Sequence, residues 1–134
     1  MSADRPIEHL DDLLAGIDPV RRPGEFVFVT VDDSTSLAPG DIEATVREDS
    51  RVSCVVGCDV ATALGHVAEP VLAWITLRVH SSLTAVGLTA AVATTLAARG
   101  IAANVIAGHR HDHVLVPVER ADEALAAIAA LAQR

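Results

Sequence analysis

The hydrophobic and polar positions of the carboxy-terminal half predict strands and helices in the order β-α-β-β-α. A strand is expected where β-branched and apolar residues run with little polar interruption, and a helix where apolar residues recur every three or four positions. The predicted elements are a strand at Val71–Val79, a helix with Leu88, Val92 and Leu96 on one face, strands at Ile101–Ala107 and Val114–Val118, and a helix with Ala121, Leu125, Ile128 and Leu131 or Ala132 on one face.

The amino-terminal half is predicted to be mostly sheet. Its expected elements are an amphipathic helix at Ile7–Leu14, ended by Asp18-Pro19 and Arg22-Pro23-Gly24, strands at Glu25–Val31, Ile42–Arg47 and Arg51–Val56, a polar loop at Asp32–Gly40, and a short helix at Asp59–Leu64. The segment His66–Pro70 is the expected joint. The chain is therefore expected to divide into halves at residues 1–66 and 67–134, packed tightly against each other.

Composition and charge exclude several classes of partner. The 134 residues contain ten arginines, no lysine and eighteen carboxylates, for a formal net charge of −8, and only three aromatic residues. This balance opposes binding to nucleic-acid phosphates, and few rings are available to stack on bases. No apolar segment approaches the roughly 20 residues of a membrane span, and the polar start lacks a signal-peptide pattern. We therefore expect neither a nucleic-acid nor a membrane partner, and a cytoplasmic location.

The two cysteines, Cys54 and Cys58, have the wrong spacing for a C-x-x-C redox or zinc motif. Free cysteine behaves as a small apolar residue and is commonly buried. We expect both to be core residues and predict no disulfide.

The turn between the first strand and the first helix of the carboxy-terminal half is the candidate ligand site. Ser81, Ser82 and Thr84 supply oxygens able to cap the incoming helix, and Gly87 lacks a Cβ, which permits close approach. An α-carboxylate at a helix N-terminus meets unpaired N–H donors and the positive end of the helix dipole. The alternative is structural: the hydroxyls only cap the helix, and Gly87 only permits packing.

The same segment resembles the ACT domain, a ferredoxin-like module that senses amino acids and other small metabolites. The resemblance rests on VHSSL, AVGLTAAVA, GIAANVIAG, HDH and VPVERADEAL, which occur in this order between about Leu72 and Leu131. It is closest to small stand-alone bacterial proteins with paired ACT-like halves, related to the aspartate-kinase regulatory domain. The resemblance implies an α+β fold, a ferredoxin-like βαββα sandwich formed by two abutting ACT-like halves.

The resemblance also implies a site for an amino acid or similar carboxylate beside the turn. Asn104 is included because it lies near the middle of a predicted strand next to the ligand, where it is equally well explained as hydrogen-bonded to neighbouring backbone. The expected ligand-binding residues are Ser81, Ser82, Leu83, Ala85, Val86, Gly87, Leu88, Asn104, His111 and Asp112.

A histidine cluster at His109–His113 offers an alternative in another class, a small metal-dependent enzyme. Three imidazoles and a carboxylate within five residues, with His80 at the end of another strand, are ligands that zinc prefers. Adjacent residues on one short loop rarely complete a tetrahedral shell, however, so no metal site is predicted. In the resembling proteins His-Asp-His is typical, whereas the positions of His109 and Arg110 are more often aromatic.

The preferred hypothesis is a non-enzymatic amino-acid sensor or regulatory protein that needs no cofactor and forms a homodimer. The sequence lacks a Gly-x-Ser-x-Gly elbow, a Walker-type phosphate loop, a Gly-x-Gly-x-x-Gly turn and a lysine for Schiff-base chemistry. Small halves leave sheet edges and helix faces that a second copy covers. A purely structural interaction subunit is the third possibility.

Overall fold

The computed structural model describes residues 5–133 and contains four α-helices and six β-strands in this range. They are α1 (Leu10–Ala15), β1 (Pro19–Val31), β2 (Ile42–Glu48), β3 (Arg51–Gly57), α2 (Cys58–Ala63), β4 (Leu72–Leu77), α3 (Leu88–Ala97), β5 (Asn104–Ala107), β6 (Asp112–Pro117) and α4 (Ala121–Ala129). The predicted order β-α-β-β-α of the carboxy-terminal half is confirmed by β4, α3, β5, β6 and α4.

The chain divides into two compact units. The first contains residues 5–23 and 73–133, and the second contains Gly24–Leu72. This division differs from the sequence-based boundary at residues 66 and 67, because the amino-terminal segment packs with the carboxy-terminal one. Strand β1 contributes its first residues to one unit and the remainder to the other.

In the first unit the strand order is β1-β4-β6-β5. The hairpin of β5 and β6 is antiparallel and pairs Asn104 with Leu115 and Ala107 with Asp112. One face of the sheet and the helices form a single apolar core, because alternate residues of β4 and β6 point to the same side. Its members include Leu13, Ile75, Leu77, Leu88, Val92, Leu96, Val114, Val116, Ala124 and Ile128. The predicted apolar face of α3 is therefore confirmed.

The second unit has the strand order β2-β3-β1 with antiparallel pairing throughout. Its core is built from alternate residues of β1 and β3 with Leu37 and Ala61 beside them. Cys54 is buried in this core, as expected, whereas Cys58 begins α2 and is only partly buried. The loop at Asp32–Gly40 contains short 3₁₀ turns at Ser34–Ser36 and Pro39–Asp41.

Strand β1 corrects the interpretation of its prolines as turn residues. Pro19, Pro23 and Gly24 all lie inside the strand, which begins six residues before the predicted start at Glu25. Proline favours an extended backbone and is tolerated in a strand where its missing N–H is not needed. Gly24 has a positive φ of 102° at the boundary between the units, a conformation that glycine adopts without strain.

Two further boundaries differ from the prediction in ways that matter for the site. Helix α1 begins at Leu10 rather than Ile7, which leaves Ile7 free to pair elsewhere. Strand β5 begins at Asn104 rather than Ile101, so Asn104 is the first residue of the strand and not near its middle.

Helix α3 is preceded by its N-cap residue Gly87, whose φ of 108° lies in the left-handed region. A Cβ at this position would lie 3.0 Å from Cδ2 of Leu10. We expect Gly87→Ala to lower the free energy of unfolding by about 1–2 kcal/mol, since an L side chain disfavours this backbone conformation. Urea denaturation measures the change.

The matched control is Gly40→Ala, where a Cβ would meet nothing within 4 Å and φ is not positive. This variant should unfold at the parent's midpoint or slightly higher, because alanine restricts the unfolded chain more than glycine does. Equal stability of the two variants would show that the left-handed start of α3 imposes no requirement for glycine.

Candidate functional site

The Ser81–Leu88 turn is held in place by the segment that precedes α1. The Ile7 N–H donates to the His80 carbonyl at 2.7 Å, and the Ser82 N–H donates to the Ile7 carbonyl at 2.9 Å. The Thr84 hydroxyl donates to the Glu8 carboxylate at 3.1–3.2 Å. This contribution is not predictable from the sequence, since no local pattern links residues so far apart along the chain.

The hydroxyls of the turn do not cap α3 as predicted. Gly87 is the N-cap residue, and no side chain donates or accepts a capping bond there. The Ser82 hydroxyl instead accepts from the Thr84 N–H at 3.2 Å and lies 2.9 Å from the Thr84 hydroxyl. The Ser82 hydroxyl is therefore committed to the turn's own structure, because short polar side chains readily bond to backbone groups two residues away.

The start of α3 consequently keeps unsatisfied donors. Within residues 5–133, the backbone N–H groups of Val86, Gly87 and Leu88 donate to no other residue. Such groups carry a partial positive charge at a helix N-terminus and favour an anion. The ten-residue helix α3 is long enough for this effect to be appreciable.

A surface pocket of about 200 Å³, which we call the turn pocket, lies against Gly87 and Leu88. It is lined by Ser81, Ser82, Leu83, Ala85, Gly87, Leu88, Thr89, Ala107 and Asp112. Seven of the ten residues expected from the sequence line it. Thr89 and Ala107 also line the pocket and were not expected from the sequence. Thr89 is the second residue of α3 and therefore lies next to the turn.

Asp112 supplies the charged side chain of the turn pocket. It begins β6, is partly buried, and accepts a long hydrogen bond from the Ser81 hydroxyl at 3.4 Å. The pocket therefore combines unpaired N–H donors at its helical wall with a carboxylate on its strand wall. This pairing of opposite charges suits a small zwitterion.

Three expected residues lie outside the turn pocket. The side chain of Val86 is directed to solvent, with 82% of its surface exposed. Asn104 is exposed and paired with Leu115 in the hairpin. His111 lines a second pocket, together with three arginines.

The histidine cluster is dispersed by the β5–β6 hairpin. The Gly108 N–H donates to the His111 carbonyl at 2.9 Å, and a Cβ on Gly108 would lie 2.8 Å from that oxygen, so the tight loop requires glycine. His109 is exposed, whereas the His113 Nδ1 lies 3.0 Å from the Thr76 hydroxyl. Among residues 5–133, no three His, Cys, Asp or Glu side chains are grouped to hold a metal ion.

His113 is part of an ordered polar contact with the only tryptophan. The Trp74 Nε1–H donates to the His113 Nδ1 at 3.2 Å, and the two ring centroids are 5.1 Å apart. Burial lowers the pKa of His113, and the nearby His111 and Arg22 lower it further, while Asp112 acts in the opposite direction. Since Nδ1 accepts a hydrogen bond, the ring is neutral with its proton on Nε2.

The cysteines lack the features of nucleophiles. Burial raises the pKa of the Cys54 thiol. Burial also raises the pKa of Cys58, and the carboxylates of Glu25 and Asp59 add to this effect. Both thiols are therefore held in the less reactive protonated form.

Two family models described as ACT domain match the chain, at residues 71–130 and 5–72. Together they cover nearly all of it. The chain belongs to the ACT domain family. The two matches confirm paired ACT halves, and the mixed α/β architecture confirms the predicted ferredoxin-like class.

Several solved structures share this fold. A Vibrio cholerae protein described as of unknown function and a possible transport protein is 42% identical, with a TM-score of 0.81 over 92% of this chain and 96% of that one. The aspartokinase alpha and beta subunits give 14% identity and a TM-score of 0.62, over 87% and 97% of the chains. The regulatory subunit of aspartate kinase from Thermus flavus gives 13% and 0.59, over 84% and 95%. No curated protein matches the chain.

The turn pocket lies at the junction of β4 and α3, within the carboxy-terminal ACT match at residues 71–130. The amino-terminal match contributes to it indirectly, because Ile7 and Glu8 brace the turn. None of the helices within residues 5–133 has the length and apolar character needed to cross a membrane.

The lowered pKa of His113 predicts a specific loss of stability on acidification. The unfolded state takes up a proton near the ordinary pKa of 6.5, whereas the folded state does so only at lower pH. Between these two values the unfolded state binds more protons, so the free energy of unfolding falls as the pH falls. We expect His113→Gln to lose less stability than the parent between about pH 7 and about pH 5.

Urea unfolding at both pH values gives the comparison. His109→Gln is the control, because His109 is exposed in the same hairpin. It should retain the parent's pH dependence. If His113→Gln and the parent fall equally, His113 is not responsible for the acid sensitivity.

Proposed function

We propose that this ACT-family protein is a regulatory amino-acid sensor without catalytic activity, acting in the cytoplasm. The observation that carries the proposal is the turn pocket, where unpaired helix N–H donors and the Asp112 carboxylate line one cavity. The regulatory subunit of aspartate kinase among the structural neighbours supports a regulatory role.

The proposed binding mode places the two charges of an amino acid at opposite walls of the pocket. The α-carboxylate accepts hydrogen bonds from the N–H groups at Gly87 and Leu88, where the helix dipole favours negative charge. The ammonium group lies against Asp112, and Ser81 orients that carboxylate through its hydroxyl. A volume of about 200 Å³ is below the usual range for larger ligands and favours a small amino acid.

A sensor fits the turn pocket better than a hydrolase. Ser81 contacts the carboxylate of Asp112 rather than an imidazole, so it lacks the base that a serine nucleophile requires. His113 directs its Nδ1 toward Trp74 and Thr76 rather than toward Ser81. The alternative of a metal-dependent enzyme lacks support, because residues 5–133 contain no group of three His, Cys, Asp or Glu side chains that could hold a metal ion.

A free amino acid is expected to raise the melting temperature. A ligand that binds only the folded state stabilises it by about 2.7 kcal/mol at one hundred times its dissociation constant. A thermal-shift panel of the proteinogenic amino acids identifies the effector. Asp112→Asn should lose most of the shift, because it removes the counter-charge of the ammonium while keeping the side chain's size.

Asp49→Asn is the matched control. Asp49 is exposed in the turn between β2 and β3 with a positive φ of 53°, which asparagine also tolerates. This variant should respond to the amino acid like the parent. The sensor hypothesis fails if no amino acid shifts the melting temperature, and the assigned pocket fails if Asp112→Asn responds fully.

We also propose that the chain forms a homodimer through α3. Its outward positions carry the small exposed residues Ala90, Ala93, Thr94, Ala97 and Ala98. A shallow groove of about 420 Å³ runs along this side from Leu10 to Ala98. The alanine face of α4, by contrast, is already buried within the first unit's own core.

Light scattering at micromolar concentration should give about twice the 13.9 kDa mass of one chain. Ala90→Glu should shift the mass toward a single chain, because it places a charge in the α3 interface. Ala102→Glu adds the same charge at an exposed position outside the helix and should leave the dimer intact. A single-chain mass for the parent would exclude the homodimer.

A further inference from the structure

A second pocket in the first unit, which we call the arginine pocket, has a different chemical character. It has a volume of about 340 Å³ and is lined by Val20, Arg21, Arg22, Pro23, Thr76, Arg78 and His111. It shares no lining residue with the turn pocket. All seven residues belong to the first unit.

Adjacent strands bring these residues together. Strands β1 and β4 are neighbours, and the Arg78 N–H donates to the Asp18 carbonyl at 3.1 Å. Thr76 in β4 and Arg78, which directly follows the strand, alternate with the core residues Ile75 and Leu77, so their side chains lie on the face of the sheet opposite the apolar core.

The base of this face is a hydrogen-bonded network of Trp74, Thr76 and His113. Trp74 is 4% exposed, and its ring lies 5.0 Å beneath the Arg22 guanidinium carbon. The Trp74 Nε1–H also donates to the Thr76 hydroxyl at 3.0 Å, and Thr76 and His113 are in hydrogen-bond contact. This network consumes the polar groups below the pocket and fixes Arg22 through a cation–π contact.

The charge of the arginine pocket is opposite to that of the chain. Three of the ten arginines line it with no carboxylate, although the protein has eighteen carboxylates and a formal net charge of −8. Arg21 lies 3.7 Å from the exposed Asp122. Arg78 is exposed and, in the part of the chain that the structure describes, forms no ion pair.

Like charges repel, so a cluster of three arginines on one surface favours the binding of a counter-anion. Guanidinium groups match phosphate oxygens with paired hydrogen bonds, which makes arginine the preferred side chain for such ligands. The pocket is also larger than a phosphate group and includes Val20 and Pro23, which offer an apolar wall to the remainder of a ligand.

We infer that the arginine pocket binds a small phosphorylated metabolite, as a second ligand site separate from the turn pocket. Arg22 and Arg78 contact the phosphate oxygens, Arg21 and His111 border them, and the rest of the ligand lies along Val20 and Pro23. The site gives the protein a response to a phosphorylated compound in addition to an amino acid.

The test uses inorganic pyrophosphate as the probe and the fluorescence of Trp74, the only tryptophan, as the reporter. At constant ionic strength, the parent should show a saturable change, because the ligand contacts the arginine that lies over the indole ring. Arg78→Gln should bind at least about tenfold more weakly, since it loses a charge-assisted contact.

Arg99→Gln is the matched control. Replacing Arg99 by glutamine changes the net charge by the same amount as Arg78→Gln. Arg99 is exposed after the end of α3 and lines neither pocket, so this variant should bind pyrophosphate like the parent. Succinate, a dicarboxylate of equal formal sign, should bind much more weakly than pyrophosphate.

Three results would overturn the inference. They are the absence of a saturable change in the parent, equal affinities of the parent and Arg78→Gln, and succinate binding as tight as that of pyrophosphate. Each is independent of whether amino acids bind in the turn pocket, because that response is measured by melting temperature and depends on Asp112.

Discussion

Two backbone hydrogen bonds at Ile7 set the geometry on which the turn pocket depends. They hold the chain on both sides of Ser81, at the point where it leaves β4 and turns toward α3. With Thr84 also tied to Glu8, the hydroxyls of Ser82 and Thr84 do not cap the helix, and the N-cap position is occupied by Gly87 in a left-handed conformation instead. The unsatisfied N–H donors of α3 are therefore a consequence of how the amino-terminal segment braces the turn.

Local patterns were sufficient for the elements of the carboxy-terminal half. The spacing of Leu88, Val92 and Leu96 reflects burial of one helix face, so it identifies α3 and its orientation together. The brace at Ile7 was not predictable in the same way, because Ile7 fits an amphipathic helix as well as a bridge to Ser81. Only the tertiary structure decides between these uses of one apolar residue.

The same difference between local pattern and tertiary structure explains which of the expected residues line the turn pocket. Most of the turn pocket comes from one continuous segment, and Asp112 was reached through the family resemblance rather than from its surroundings. Asn104 was misplaced because the apolar run that suggested a strand from Ile101 extends beyond the hydrogen-bonded ladder. The arginine pocket is not predictable from the sequence, because Arg22-Pro23-Gly24 has the pattern of a turn. In the structure Arg21 and Arg22 lie in strand β1.

The β5–β6 hairpin explains how one acidic chain maintains two pockets of opposite character. Consecutive residues serve different pockets, since His111 borders the arginines and Asp112 faces the turn pocket. His113 then points away from Asp112 by the alternation of a strand, and its hydrogen bonds to Trp74 and Thr76 anchor the hairpin beneath the arginine pocket. The close contact between Gly108 and the His111 carbonyl fixes where this alternation begins. The histidine-rich sequence therefore lies between the two pockets, and the strand geometry separates its residues rather than gathering them around one centre.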